Sequence, residues 1–128
     1  MSEIALSIKG LKVSYGSIEA LKGINMDVRQ GQIVAILGSN GAGKTTTLRK
    51  ISGVLEASGG FMEFFGHDIT KMQPNKIAKL GIIQSPEGRQ VFRDLTVEEN
   101  LMTGAYIVKS KKAIQENFER VYGYFPVL

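Results

Sequence analysis

The sequence predicts an α/β fold in which antiparallel strands come first and helices dominate the end. Three observations carry this. Apolar residues alternate early in the chain, at Ile4, Leu6 and Ile8, at Leu11, Val13 and Tyr15, and at Ile24, Met26 and Val28. That is the period of half-buried strands. Ile33 to Leu37 is instead continuously apolar and rich in β-branched residues, as a strand covered on both faces would be. From Thr96 onward the spacing becomes helical.

Each later element has its own signal. A glycine-rich stretch follows Leu37, and Lys44 to Ile51 then reads as a helix ending near Gly53. Ala57 to Gly60 reads as a turn, Phe61 to Phe65 as a strand, and Gly66 to Asp68 as another turn. Pro74 suits the first turn of a short helix that runs to Leu80 and is broken by Gly81. Ile82 and Ile83 open a further strand, and the polar stretch from Ser85 to Asp94, with Pro86 and Gly88, reads as a loop. Thr96 followed three residues later by Glu99 is a capping box, so a helix begins at Val97. A last helix fits Lys111 to Phe125, with Ile114, Phe118, Val121, Tyr122 and Phe125 on one apolar stripe. The change from strand-rich to helix-rich sequence near residue 86 marks the one expected subdivision, 1–86 against 87–128.

Composition narrows the function classes. The chain has 128 residues, 43% of them apolar and 22% charged, which suits one modest core. It has no cysteine, so neither a disulfide framework nor a cysteine metal site is available. No apolar run approaches the roughly 18–20 residues that span a bilayer. No basic region followed by an apolar stretch opens the chain, so the expectation is a cytoplasmic protein. The net charge is +4, but the basic residues are scattered apart from Lys109, Lys111 and Lys112. No zinc-finger or RNA-recognition signature accompanies them, so no nucleic-acid partner is expected.

Gly38, Ser39, Asn40, Gly41, Ala42, Gly43, Lys44 and Thr45 match the pattern G-x-x-x-x-G-K-S/T of a nucleoside triphosphate phosphate loop. Glycines let the backbone approach an anion closely, and successive N–H groups then form a nest. The following helix presents its positive end to the phosphates. The Lys44 ammonium would neutralise β/γ-phosphate charge, the Thr45 hydroxyl would ligate Mg²⁺, and Thr46 would donate to an α-phosphate oxygen. The loop therefore calls for a nucleoside triphosphate and Mg²⁺.

The loop alone does not choose a family. The wider arrangement closely resembles the ATP-binding-cassette (ABC) transporter ATPases over essentially the whole chain. The residues that carry this are Leu11 to Gly16, Ala20 to Ile33, the loop Gly38 to Thr46, and Ser85 to Arg89 followed by Phe92 and Leu95 to Leu101. The resemblance implies that the nucleotide is ATP and that Tyr15 stacks on its adenine. It also implies that Pro86 opens the loop where most members carry glutamine. This chain has Glu87 there, as in the subgroup that serves branched-chain amino acid importers, and Glu87 is then a catalytic-site residue and Mg²⁺ ligand beside Lys44. The resemblance further implies transmembrane permease subunits and a second ATPase subunit as partners, and a place on the inner face of the cell membrane.

The same resemblance sets an expectation of a truncated ABC ATPase core, with an N-terminal antiparallel β-subdomain and the start of a helical subdomain. No apolar run in these residues is followed by Asp-Glu, and Ser58 to Gly60 lacks the Leu and Gln that flank the family signature. His67, the sole histidine, does not match the family's late switch histidine. Two other readings stay open. One is a nucleotide-binding fragment or regulatory module without turnover. The other is a soluble ABC ATPase outside transport, in DNA repair or translation.

Overall fold

A computed structural model describes residues 3–38, 43–85, 88 and 90–128. Four strands and four helices occur among them: β1 (Ile4–Tyr15), β2 (Ile18–Arg29), α1 (Lys44–Ile51), β3 (Gly59–Phe64), β4 (His67–Asp68), α2 (Pro74–Leu80), α3 (Val97–Gly104) and α4 (Lys111–Tyr124). They belong to two compact units, Met1–Gln84 and Ser85–Leu128.

The first unit is built on one antiparallel sheet of order β2-β1-β3-β4. Its turns follow from residue chemistry. Gly16 and Ser17 join β1 to β2, with Gly16 at φ 60° in the first central position, as a two-residue type II′ hairpin requires. Phe65 and Gly66 join β3 to β4 with φ of 47° and 83°, the paired positive values of a type I′ turn. A register shift near Gly10 disrupts β1, and the Asn25 side-chain oxygen accepts the Gly10 N–H at 2.9 Å. Here β1 and β3 come very close. A Cβ on Gly60, which sits at φ 91°, would overlap the Gly10 carbonyl oxygen and lie 2.5 Å from the Leu11 Cα.

The alternation seen in the sequence sorts the sheet's faces. Ile8, Leu11, Val13, Leu21 and Met62 are buried, joined by Ile51 from α1 and Ile69 after β4. Ile77 of α2 is also fully buried. The largest fully buried side chain is a lysine: Lys50 of α1, 1% exposed, donates from Nζ to the Thr70 carbonyl oxygen at 2.7 Å. Thr70 is itself pinned. Its Oγ1 accepts the Met62 N–H at 2.9 Å, and its hydroxyl lies 2.7 Å from Asp68 Oδ1, closer than the Met62 carbonyl at 3.3 Å. Asp68 Oδ1 also accepts the Thr70 N–H at 2.9 Å. The Thr70 hydroxyl and N–H hold the Asp68 carboxyl below its ordinary range. Burial pushes the Lys50 ammonium below the usual lysine range, and the charge of Glu56 opposes that shift.

The second unit is two capped helices. Thr96 Oγ1 accepts the Glu99 N–H at 3.1 Å, and Glu99 Oε1 accepts the Thr96 N–H at 3.0 Å, which is the expected capping box. The Thr96 backbone N–H, and then its side chain, keep the Glu99 carboxyl below its ordinary range. Ser110 caps α4 through the Ala113 N–H at 3.1 Å. Phe118 and Tyr122 stack with centroids 6.0 Å apart. Ile114, Phe118, Val121 and Tyr122 are half-buried, whereas Phe125 lies past the helix end and is 58% exposed.

Four expectations fail, each for a physical reason. Ile33 to Leu37 forms neither strand nor helix, and Ile33 is 98% exposed. Ile82 and Ile83 likewise form no strand. A lone strand has nothing to accept its N–H groups, and among the described residues neither segment has a ladder partner. Gly59 and Gly60, expected in a turn, begin β3: Gly59 pairs with Lys12 of β1, and at Gly60 β1 comes too close for any side chain. His67 and Asp68, also expected in a turn, form β4 because Phe65 takes the tight-turn position instead.

Two predictions follow from the packing. Gly60→Ala forces both a positive φ and a clash with backbone, so it destabilises the chain by about 2 kcal/mol or more; urea denaturation against Gly66→Ala, where a Cβ meets nothing within 4 Å, isolates the clash. Lys50 binds protons less readily folded than unfolded, so between its folded value and the ordinary 10.5 wild-type stability rises with pH. Lys50→Met removes that rise. Denaturation curves at a series of pH values from neutral to about 10.5 check this, and parallel curves for the two proteins would refute it.

Candidate functional site

The site is assembled where α1 begins. Gly43 is its N-cap, in the left-handed conformation at φ 93° and ψ 6°. A Cβ there would lie 2.8 Å from Leu21 Cδ2 and 3.3 Å from the Ala20 carbonyl oxygen. Glycine at this position thus serves both the turn and the close seating of α1 on β2. The Gly43 carbonyl accepts both the Thr47 N–H at 2.9 Å and the Thr47 hydroxyl at 2.7 Å. Thr47 is thereby turned inward and buried, while Thr45 is exposed and Lys44 and Thr46 are half-buried.

Electrostatically the helix is arranged for an anion. No side chain caps its start, and its first turn holds no acidic residue. Its last turn holds Arg49 and Lys50, which suit the negative end. Lys44 at the positive end opposes the helix dipole, at a cost of about 0.3–1 kcal/mol. Among the described residues the Lys44 ammonium has no hydrogen-bond partner. A bound anion would remove the conflict by meeting the open N–H groups and the ammonium together.

The β1–β2 hairpin forms the other wall. Tyr15, at the end of β1 and 45% exposed, brings its hydroxyl within 3.5 Å of Thr46 Oγ1. A recess of about 520 Å³ lies between Tyr15, Ile18, Glu19 and Ala20 on one side and Gly43 to Thr46 on the other. The fold therefore brings Tyr15, Gly43, Lys44, Thr45 and Thr46 together. Gly38 is exposed and in neither helix nor strand. Ser39, Asn40, Gly41, Ala42 and Glu87 lie outside the described residues. Ile18 and Glu19 were not among the sequence candidates. The hairpin register that pairs Ile18 with Tyr15 and Glu19 with Ser14 puts them there, and only the period of the strands hinted at it.

The described residues contain no group of three or more His, Cys, Asp or Glu that could hold a metal. Mg²⁺ keeps several waters and takes one or two protein ligands along with phosphate oxygens. The exposed Thr45 hydroxyl at the open, positive start of α1 fits a cation that arrives with a nucleotide.

The ABC transporter family model matches residues 21–124. The chain belongs to the ABC transporter family. It is 42% identical to a probable ABC transporter ATP-binding protein of Azorhizobium caulinodans, covering 78% of this chain and 36% of that protein. It is 37% identical to the high-affinity branched-chain amino acid transport ATP-binding protein BraG of Pseudomonas aeruginosa, covering 96% of this chain and 52% of that one. Among solved structures, cbiO1 of Clostridium perfringens, part of the ABC transporter complex cbiONQ, superposes with a TM-score of 0.76 at 28% identity, covering 94% of this chain and 50% of that one. The chain thus spans about a third to a half of the length of the relatives it matches. The antiparallel sheet with its flanking helices is the ABC ATPase fold seen over that span. No helix among the described residues is long and apolar enough to cross a membrane.

Gly43→Ala tests the geometry. The strain and the contact with β2 displace the start of α1, so ATP affinity falls at least about tenfold while the far-ultraviolet circular dichroism stays close to wild type, since a left-handed Ala costs about 1–2 kcal/mol. Unchanged affinity by calorimetry would show that the helix start does not hold the ligand.

Proposed function

We propose that this chain is the nucleotide-binding portion of an ABC transporter ATP-binding subunit, and that Mg·ATP binding and hydrolysis in a subunit of the relatives' length drive membrane transport, with branched-chain amino acid import as the process. The observation that supports this best is the uncompensated positive start of α1, with Lys44 in its first turn and Tyr15 across the recess. The similarity to BraG supports the choice of cargo.

In this reading the exposed ring of Tyr15 stacks on the adenine. Residues Gly38, Ser39, Asn40, Gly41, Ala42, Gly43 and Lys44, with Thr45 and Thr46, surround the phosphates, the Lys44 ammonium lowering the cost of gathering negative charge. Thr45 and Glu87 hold Mg²⁺, which supplies further charge neutralisation on the phosphate oxygens when bound. Residues 1–86 form part of the nucleotide-binding core, and 87–128 form the Glu87 loop and the opening of the helical subdomain. A second ATPase subunit completes the site, and transmembrane permease subunits receive the motion, which places the protein in the cytoplasm on the inner face of the membrane.

A second reading, nucleotide binding without turnover by these residues alone, is favoured by the absence of Asp-Glu after an apolar run in the sequence. One experiment addresses both. Calorimetry with Mg·ATP on the 128-residue chain should show binding that weakens at least about tenfold in Lys44→Ala, as loss of a charge-assisted phosphate contact of about 1.5–3 kcal/mol implies, with circular dichroism unchanged. Phosphate release abolished by the same substitution would exclude the binding-only reading. A folded wild-type chain that binds no Mg·ATP would overturn the site assignment.

A further inference from the structure

Thr47 lies outside the phosphate-loop motif, yet its hydroxyl reaches back to the motif's last glycine. It is 4% exposed, on the face of α1 that it shares with Lys50 and Ile51. Packing alone favours valine or leucine there, because a hydroxyl is costly to bury without a partner. A β-branched residue also suits a helix poorly. The hydroxyl has one use. Thr47 Oγ1 donates to the Gly43 carbonyl oxygen at 2.7 Å, and the Thr47 N–H donates to the same oxygen at 2.9 Å. A carbonyl oxygen has two lone pairs, so this one residue engages both.

That carbonyl belongs to the peptide that joins Gly43 to Lys44. The unit is planar and trans, so its C=O and N–H point opposite ways. Holding the carbonyl toward Thr47 therefore aims the Lys44 N–H out of the helix start. This N–H is one of the donors that a helix N-terminus leaves without an internal partner, and no described residue accepts it. Glycine leaves the peptide unusually free to swing, and Gly43 offers no side-chain cap to steady it. The Thr47 hydroxyl is the second tie that the Thr47 N–H alone does not supply.

We propose that Thr47 is a positioning residue of the nucleotide site: its hydroxyl fixes the peptide between Gly43 and Lys44 so that the Lys44 N–H meets a phosphate oxygen. This role rests on the nucleotide reading of the recess, and Thr47 itself touches no ligand.

The test titrates Mg·ADP into the 128-residue chain as wild type, Thr47→Val and Thr47→Ser. Thr47→Val keeps the side chain's shape and removes its hydroxyl. It should weaken ADP binding by about two- to tenfold, the span of one lost neutral hydrogen bond. Thr47→Ser restores the hydroxyl and should bind as wild type does. A second readout separates positioning from stability. The Lys44 backbone amide resonance should move downfield with ADP in wild type and move less in Thr47→Val, whatever the urea midpoints. The wild-type shift stands as a test even if Thr47→Val does not fold. A Lys44 amide that ADP leaves in place would overturn the proposal. So would wild-type affinity with a full Lys44 shift in Thr47→Val, or an equal loss of affinity in Thr47→Ser, which would trace the effect to packing. A folded wild type that binds no ADP would overturn the nucleotide reading, and the role of Thr47 with it.

Discussion

The hydrogen bond from the buried Lys50 ammonium to the Thr70 carbonyl is the contact on which the site's placement rests. Helix α1 has eight residues, too few to persist on propensity alone. Its order comes from the face it lays on the sheet: Thr47, Lys50 and Ile51. A charge is costly to bury, and here the cost is contained because Thr70 is immobilised by Asp68 and Met62. One end of α1 is thus fixed beside β3 and β4, and the other end is carried to the Tyr15 hairpin.

At that other end the chain departs from local preference, as functional sites do. A lysine stands in the first turn of a helix, a cap residue offers no side chain, and Gly43 takes a backbone conformation that side chains disfavour. The lysine is mildly unfavourable for the empty helix, and the missing side-chain cap leaves the first N–H groups open. Together they are favourable for a helix that holds phosphate. The second unit shows the opposite character, with Thr96, Glu99 and Ser110 all placed where helix physics prefers them. Its helices bury no residue fully, so capping and the Asn100 contacts to the Phe92, Leu95 and Thr96 carbonyls do much of the ordering there.

Local signals were legible from residues alone, because turns, caps and strand alternation depend on neighbours in sequence. The antiparallel pairing of β1 with β2, the helix at Lys44, the helix opened by Pro74 and the capping box at Thr96 all appear where the pattern put them. The lining of the recess at the start of α1 by Ile18 and Glu19 was not legible, since it depends on how the hairpin faces α1. Lys50 was not legible either. Its burial comes from α1 settling on the sheet, and a lysine in a helix ordinarily reads as solvated.

What the sequence by itself determined is the chemistry, a phosphate-loop motif with Lys44 and Thr45 at fixed spacing and an aromatic at Tyr15, together with the helices and the first strands around them. What only the tertiary structure decided is pairing and burial. Ile33 to Leu37 carries every residue preference of a buried strand, yet it is exposed except at the half-buried Ile36 and has no ladder partner among the described residues. A strand is completed by its neighbours' N–H and C=O groups, and no preference within five residues can supply them. Lys50 makes the converse case, because a single carbonyl at 2.7 Å, distant in sequence, made burial of a charge tolerable.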